Sequence, residues 1–323
     1  MPQTRLDTAR IRAARRVIDP VFLDTPLYRC EALEPDLGCT VSIKLETANP
    51  VRSFKGRGTE LVATQLASRA VVCASAGNLG QALAWSGRRR GLDVTVVASR
   101  FATVAKLDRI RALGARLELV DGDHELARER AAAIAQYDGI RLLEDSLDLE
   151  TCEGAATIGL ELVDAAPAFD TVLIALGGGA LATGVGHVVK DLAPDVEVIC
   201  VQPLGAPALT HSWHQRRVVT TDSTNTIADG VAGRYPIPAV LDDLLLVADD
   251  AVLVEEASII TGMRLLLDHA GLVVEPSAAL GIAAILENRP RFADRHVVTI
   301  ICGNNVDLPN YHRWVGSTPT HKP

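Results

Sequence analysis

From Val41 to Ile301, short β-branched runs alternate with Ala- and Leu-rich segments of helical length, and this alternation constrains the fold more than any other feature. Strands separated each time by a helix have to be parallel, because a parallel neighbour is reached only through a crossover of a dozen or more residues. The predicted class is α/β, with strands near 41–45, 71–74, 94–98, 116–120, 171–176, 196–201, 245–248 and 297–301. Composition agrees. Apolar residues make up 48% and aromatics only 4%, so the core is built mainly from Ala, Val, Leu and Ile, as helices covering parallel sheets require. A chain of 323 residues is long enough for two medium domains.

Several function classes drop out on charge and patterning. The net charge is −8 and the only basic run is Arg88-Arg89-Arg90, which suits a solvated helix end, so nucleic acid is not expected as a partner. The N-terminal residues continue into a charged amphipathic pattern through Ile11, Val17 and Ile18 instead of an apolar leader, and no apolar stretch approaches the length of a membrane span. A cytoplasmic location is expected. Cysteines 30, 39, 73, 152, 200 and 302 form no C-x-x-C pair and no metal-like spacing with the eight histidines, and read as buried reduced thiols. The tail after Pro309, ending Thr318-Pro319-Thr320-His321-Lys322-Pro323, is polar and expected to fray.

The chemistry concentrates in loops that follow predicted strands. Ser53-Phe54-Lys55-Gly56-Arg57-Gly58 sets a lysine among small residues directly after an aromatic, a setting in which an amine can condense with an aldehyde cofactor. Phe54 would wall such a ring. Ser75-Ala76-Gly77-Asn78-Leu79-Gly80 follows Val71-Val72-Cys73, and Gly177-Gly178-Gly179-Ala180-Leu181 follows the apolar run 171–176. Successive N–H groups from Gly177 to Ala180, with a helix beginning near Leu181, make a phosphate cradle. Cys302-Gly303-Asn304-Asn305 follows the last strand. In open α/β sheets ligands bind beyond the carboxyl ends of strands, so these loops can face one cleft.

In this order the motifs resemble the fold-type II enzymes dependent on pyridoxal 5'-phosphate (PLP), and most closely their threonine/serine dehydratase (threonine ammonia-lyase) branch. The resemblance runs from Thr25-Pro26-Leu27 to Asn305 and includes Ile227-Ala228-Asp229-Gly230-Val231 and Glu275-Pro276-Ser277. It implies two open, mostly parallel twisted sheets covered by helices, as in the tryptophan synthase β-like fold. Residues 1–59 with 146–323 would form the large PLP-binding domain and 60–145 a small inserted α/β domain. It further implies that Lys55 forms the imine and takes the substrate's α-proton, that Asn78 donates to the phenolic oxygen, and that Cys302 faces the pyridine nitrogen. N–H groups of Ser75, Gly77 and Leu79, with Ala76 and Asn78, would clamp a substrate carboxylate. Glu275 and Gly230 are further candidates; Glu275-Pro276-Ser277 reads equally well as a helix start.

The chain departs from the family pattern at Leu79, where the dehydratases usually carry His, at Ala180 in place of a fourth glycine, and at Asn304 in place of a glycine. What the resemblance implies overall is a cytoplasmic, dimeric lyase turning L-threonine or L-serine into a 2-oxo acid and ammonia. An amino-acid racemase, a β-replacement synthase, a lyase of another β-substituted amino acid, or a PLP-binding protein without turnover are the alternatives. Metal-using relatives hold their ion with carboxylates just after a strand; the matching segment here, 201–208, has none, so no metal is expected. The further C-terminal domain of isoleucine-responsive dehydratases is not expected either.

Overall fold

The computed structural model describes residues 3–165 and 168–316. Among the described residues there are ten strands: β1 Leu27–Arg29, β2 Thr40–Leu45, β3 Ala70–Ala74, β4 Asp93–Ser99, β5 Arg116–Val120, β6 Arg141–Leu143, β7 Thr171–Ala175, β8 Glu197–Pro203, β9 Asp250–Val254 and β10 His296–Ile301. They form two sheets. The larger has the order β1-β2-β10-β7-β8-β9, parallel throughout except for the antiparallel edge strand β1. The smaller, β5-β4-β3-β6, is wholly parallel and is drawn from one continuous stretch of chain.

Every residue of β7 is buried, and so are the last five of β10, as expected of central strands covered on both faces. The larger core gathers Val172, Ile174, Val198, Ile199, Val297 and Ile300 with the helices that cover them. A smaller core of Val71, Cys73, Leu83, Val94 and Val96 lies under the second sheet.

One expectation about strands is corrected. Residues 245–248 are not a strand: the helix Pro238–Val247 takes in most of them, and the strand is β9 a few residues on. Pro238 opens that helix, and Val240, Leu241, Leu244 and Val247 are buried along one helical face. The run Leu244-Leu245-Leu246-Val247 looked like a strand only because it is uniformly apolar. β1 and β6, three residues each, were too short to show a period. The tail expectation is corrected too: Leu308–Gly316 is a helix with Tyr311 buried, while residues 317–323 lie outside the described residues.

Helices set the site. Lys55–Gln65 packs against Leu149–Asp164, which packs in turn against Ala180–Leu192. The first contact is close enough that a Cβ on Gly154 would come within 2.4 Å of the Gly58 Cα. Glycine at both positions brings the first turn of the Lys55 helix up to the loop that precedes Leu149.

Candidate active site

The loops that follow β3, β7 and β10 converge on a cleft of about 560 Å³ between the two sheets. Lys55 begins its helix there, with Phe54 as the preceding cap residue and the Lys55 ammonium 4.6 Å from the Phe54 ring centre. The segment is tied to the end of β10. Phe54 N–H donates to the Cys302 carbonyl (3.1 Å), Asn304 N–H donates to the Arg52 carbonyl (3.0 Å), and Ser53 bridges Gly303. Arg52 takes a left-handed conformation, φ 56°, to make this approach. Lys55 and Cys302, far apart in sequence, are thereby held in fixed register.

The Lys55 ammonium donates to Asp145 Oδ2 at 2.6 Å. Behind the same helix, Arg57 is completely buried, paired with Glu46 (2.8 Å) and Glu161 (2.6 Å) and bonded to Thr157 Oγ1 (2.9 Å). Lys44 adds a second cation on Glu161, 2.5 Å away.

On the far side lies the glycine loop. The N–H groups of Gly177, Gly178 and Gly179 donate to no protein acceptor among the described residues, and all three face the cleft at the start of the Ala180–Leu192 helix. Gly179 has φ +113°, and a Cβ there would meet Val240 at 2.3 Å; one on Gly178 would meet Ser146 Oγ at 2.7 Å. The cradle is therefore open only because these positions lack side chains. Ala180 differs from the expectation: its N–H is already given to Ser146 Oγ (3.0 Å). Free donors and a helix N-terminus at one end, with an amine at the other, fit a phosphorylated aldehyde.

The Asn78 loop is more committed than its sequence suggested. Asn78 Nδ2 donates to both carboxylate oxygens of Glu275 (2.9 and 3.1 Å), and Asn78 Oδ1 accepts from Asn305 Nδ2 (2.8 Å). Glu275 also accepts from Ser277 Oγ (3.0 Å) and Asn305 N–H (3.2 Å). Burial raises the Glu275 pKa, against the hydrogen bonds from Asn78 and Ser277. Among the proposed carboxylate donors, Ser75 N–H, one residue past the end of β3, is spent on the Val97 carbonyl of β4 (3.0 Å), and Gly77 N–H donates to Ser75 Oγ (3.2 Å). Leu79 lies in the first turn of the Asn78–Arg90 helix, and its side chain packs into the smaller core. Ala76 lines the cleft between them.

Cys302 lines the cleft as a buried thiol whose pKa is pushed up, first by desolvation and then by the Glu275 charge, so it stays neutral. Gly230 lies in the turn Asp229–Val231, where a Cβ would meet Ser277 Oγ at 2.8 Å, and its carbonyl abuts Gly177. Sequence reasoning missed Asp145 and Ser146. It missed the groups that cross the cleft mouth as well: Lys106 on Asp229, Arg109 on Asn305 Oδ1 (2.9 Å) and Arg234 on Asp123 (3.1 Å). Nothing in the sequence marks Asp145, Ser146, Lys106, Arg109, Asp123 or Arg234, which are ordinary polar residues in loops or on helix faces; only their partners Asp229 and Asn305 lie in the motifs.

Residues 18–303 match the family model described as "Pyridoxal-phosphate dependent enzyme". The chain belongs to that family. Its cofactor is pyridoxal 5'-phosphate, and the two-sheet fold is that of PLP fold type II. The L-threonine ammonia-lyase of Thermotoga maritima is 31% identical over 92% of this chain and 75% of that protein. A serine racemase of Oryza sativa subsp. indica is 29% identical over 94% of this chain and 91% of that protein. Among solved structures, the processed form of threonine deaminase isoform 2 from Solanum lycopersicum superposes with a TM-score of 0.88 at 28% identity, covering 98% of this chain and 90% of that one. This PLP-dependent chain is thus about equally similar to dehydratases and to racemases. Among its described residues no helix is long and apolar enough to cross a membrane, and all six cysteines are free and buried.

Proposed function

We propose that this PLP-dependent enzyme is a lyase that removes water and then ammonia from L-serine or L-threonine to give a 2-oxo acid. Bound at the glycine loop, PLP would supply an electron sink for the substrate's α-carbon. Lys55 would hold the cofactor aldehyde and, as a free amine, would take the α-proton at its Nζ. Gly177, Gly178 and Gly179 hold the phosphate through their free N–H groups, Leu181 lies in the helix turn behind them, and Phe54 walls one side of the ring. Cys302, a buried neutral thiol, would offer the ring nitrogen a weak hydrogen bond and no full proton. Asn78, fixed by Glu275 and Asn305, would donate one of its two amide N–H groups to the cofactor oxygen and keep the other on Glu275. The substrate carboxylate lies along Ala76, Gly77 and Leu79. In this reading 60–145 is the small inserted domain and the enzyme is a cytoplasmic homodimer.

The observation that supports elimination over racemisation is Ala76. Racemisation needs a second proton-carrying group besides Lys55 to return the proton, and at this point of the cleft lining the Asn78 loop offers the Ala76 methyl, which exchanges none. The neighbouring hydroxyl, Ser75 Oγ, is turned back onto Gly77 N–H. Racemase is the second reading, favoured by the rice enzyme's similarity. Incubation with L-serine decides between them: we expect 2-oxo acid and ammonia, with D-serine absent by chiral chromatography. The Lys55→Ala protein, which should form no borohydride-stable cofactor adduct, serves as the blank. Substantial D-serine from the unmodified enzyme overturns the dehydratase reading.

A further inference from the structure

We propose that Asp145 is the acid that protonates the departing β-hydroxyl, receiving its proton from Lys55. The inference rests on the elimination reading and adds the group that reading lacks. Hydroxide is a poor leaving group, so an acid must reach the β-oxygen as the C–O bond breaks.

Five carboxylates line the cleft, and four are spent elsewhere. Both oxygens of Glu275 are saturated by Asn78, Ser277 and Asn305. Asp229 pairs with Lys106 at the mouth. Glu125 and Glu144 both pair with Arg128. Asp145 alone contacts the catalytic amine, through Oδ2 at 2.6 Å, while its Oδ1 is buried with no hydrogen-bond partner among the described residues. The unpartnered oxygen lacks any structural task.

Its backbone is fixed by the neighbouring residue. Ser146 has φ 67°, donates its N–H to Thr151 Oγ1 (3.0 Å) and accepts from Ala180 N–H (3.0 Å), so the loop is pinned to the start of the phosphate-cradle helix. Asp145 Oδ2 lies 3.9 Å from where a Gly178 side chain would begin. The carboxylate therefore stands between the amine and the glycine loop.

The step balances. The Cα–H bond breaks and its proton goes to Lys55 Nζ, the bonding pair becoming the Cα–Cβ double bond. Lys55 passes a proton to Asp145 across their hydrogen bond. Asp145 gives it to the β-oxygen, which keeps the C–O pair and leaves as water. Lys55 and Asp145 return to their starting protonation states without an oxidant or reductant.

Asp145→Asn tests this, because an amide keeps the shape and loses the transferable proton. With the holoenzyme we expect L-serine and L-threonine elimination to fall by about 100-fold or more, the usual worth of a general acid. β-Chloro-L-alanine, whose chloride leaves without protonation, should lose less than about threefold by the same reasoning. Exchange of the serine α-proton with deuterated solvent should persist in the variant. Titration of the apoprotein with PLP should show binding at least as tight as in the unmodified chain, since a negative charge beside the cradle is removed. Equal loss with both leaving groups, no loss with either, or PLP binding weakened more than about tenfold would each overturn the assignment. An unmodified enzyme that exchanges the α-proton but eliminates neither substrate would instead overturn the elimination reading, and the proposal with it.

Discussion

Ion pairs border the cleft in two places, behind the Lys55 helix and at the mouth, and they use the same side-chain chemistry under opposite solvation. Behind the helix two cations, Arg57 and Lys44, face two carboxylates, Glu46 and Glu161, all of them buried. At the mouth, Lys106–Asp229 and Arg234–Asp123 join the two sheets' sides through aspartates whose side chains are 65% and 62% exposed. A buried set is held by the cost of leaving any member uncompensated, whereas an exposed pair competes with water and salt. The first region is therefore framework behind the Lys55 helix, and the second a set of contacts that cost little to break.

The largest expected effect is on the buried side. Arg57→Met leaves two carboxylates short of a partner and should cost about 3–5 kcal/mol of stability, measured by urea unfolding. A cost below about 1 kcal/mol, the range of exposed pairs, would erase the distinction between the regions.

Acid should separate them next. Burial opposes ionisation of Glu161, yet the hydrogen bond from Arg57 and the charges of Arg57 and Lys44 prevail and hold its pKa at about 2. A carboxylate depressed on folding contributes its full stabilisation above its ordinary value, about 4.3, and loses it as pH falls toward the folded value. Stability should therefore decline between pH 4.3 and about 2, and Glu161→Gln should flatten that stretch of the profile. An unchanged slope in the variant would show that the acid sensitivity arises elsewhere.

The smallest effect is at the mouth. Lys106→Ala should change unfolding free energy by no more than about 1 kcal/mol and lessen the salt dependence of KM for the amino-acid substrate. A larger loss of stability would make the mouth part of the framework after all.

Much of this is legible in the sequence. The alternation of strand and helix gave the parallel sheets, and the glycine loop stood out because an apolar run, three glycines and a helix start are all local features. Lys55 stood out for the same reason. Burial of Cys302 followed from its place at the end of an apolar run. The misread strand at 245–248 shows the limit of local pattern, since a uniformly apolar stretch has no period to distinguish helix from strand.

What the sequence determined by itself, then, was the set of loops that can bear chemistry, because strand ends, glycines and helix starts are written in neighbouring residues. Only the tertiary structure decided which polar groups are free and which are spent. Ala180 lost its donor to Ser146, Ser75 lost its own to Val97, and Asn78 was drawn into the Glu275 and Asn305 network. Asp145 came to lie against an amine 90 positions earlier in the chain. Hydrogen bonds form between whatever surfaces packing brings within about 3 Å, and no local pattern encodes a partner that far along the chain.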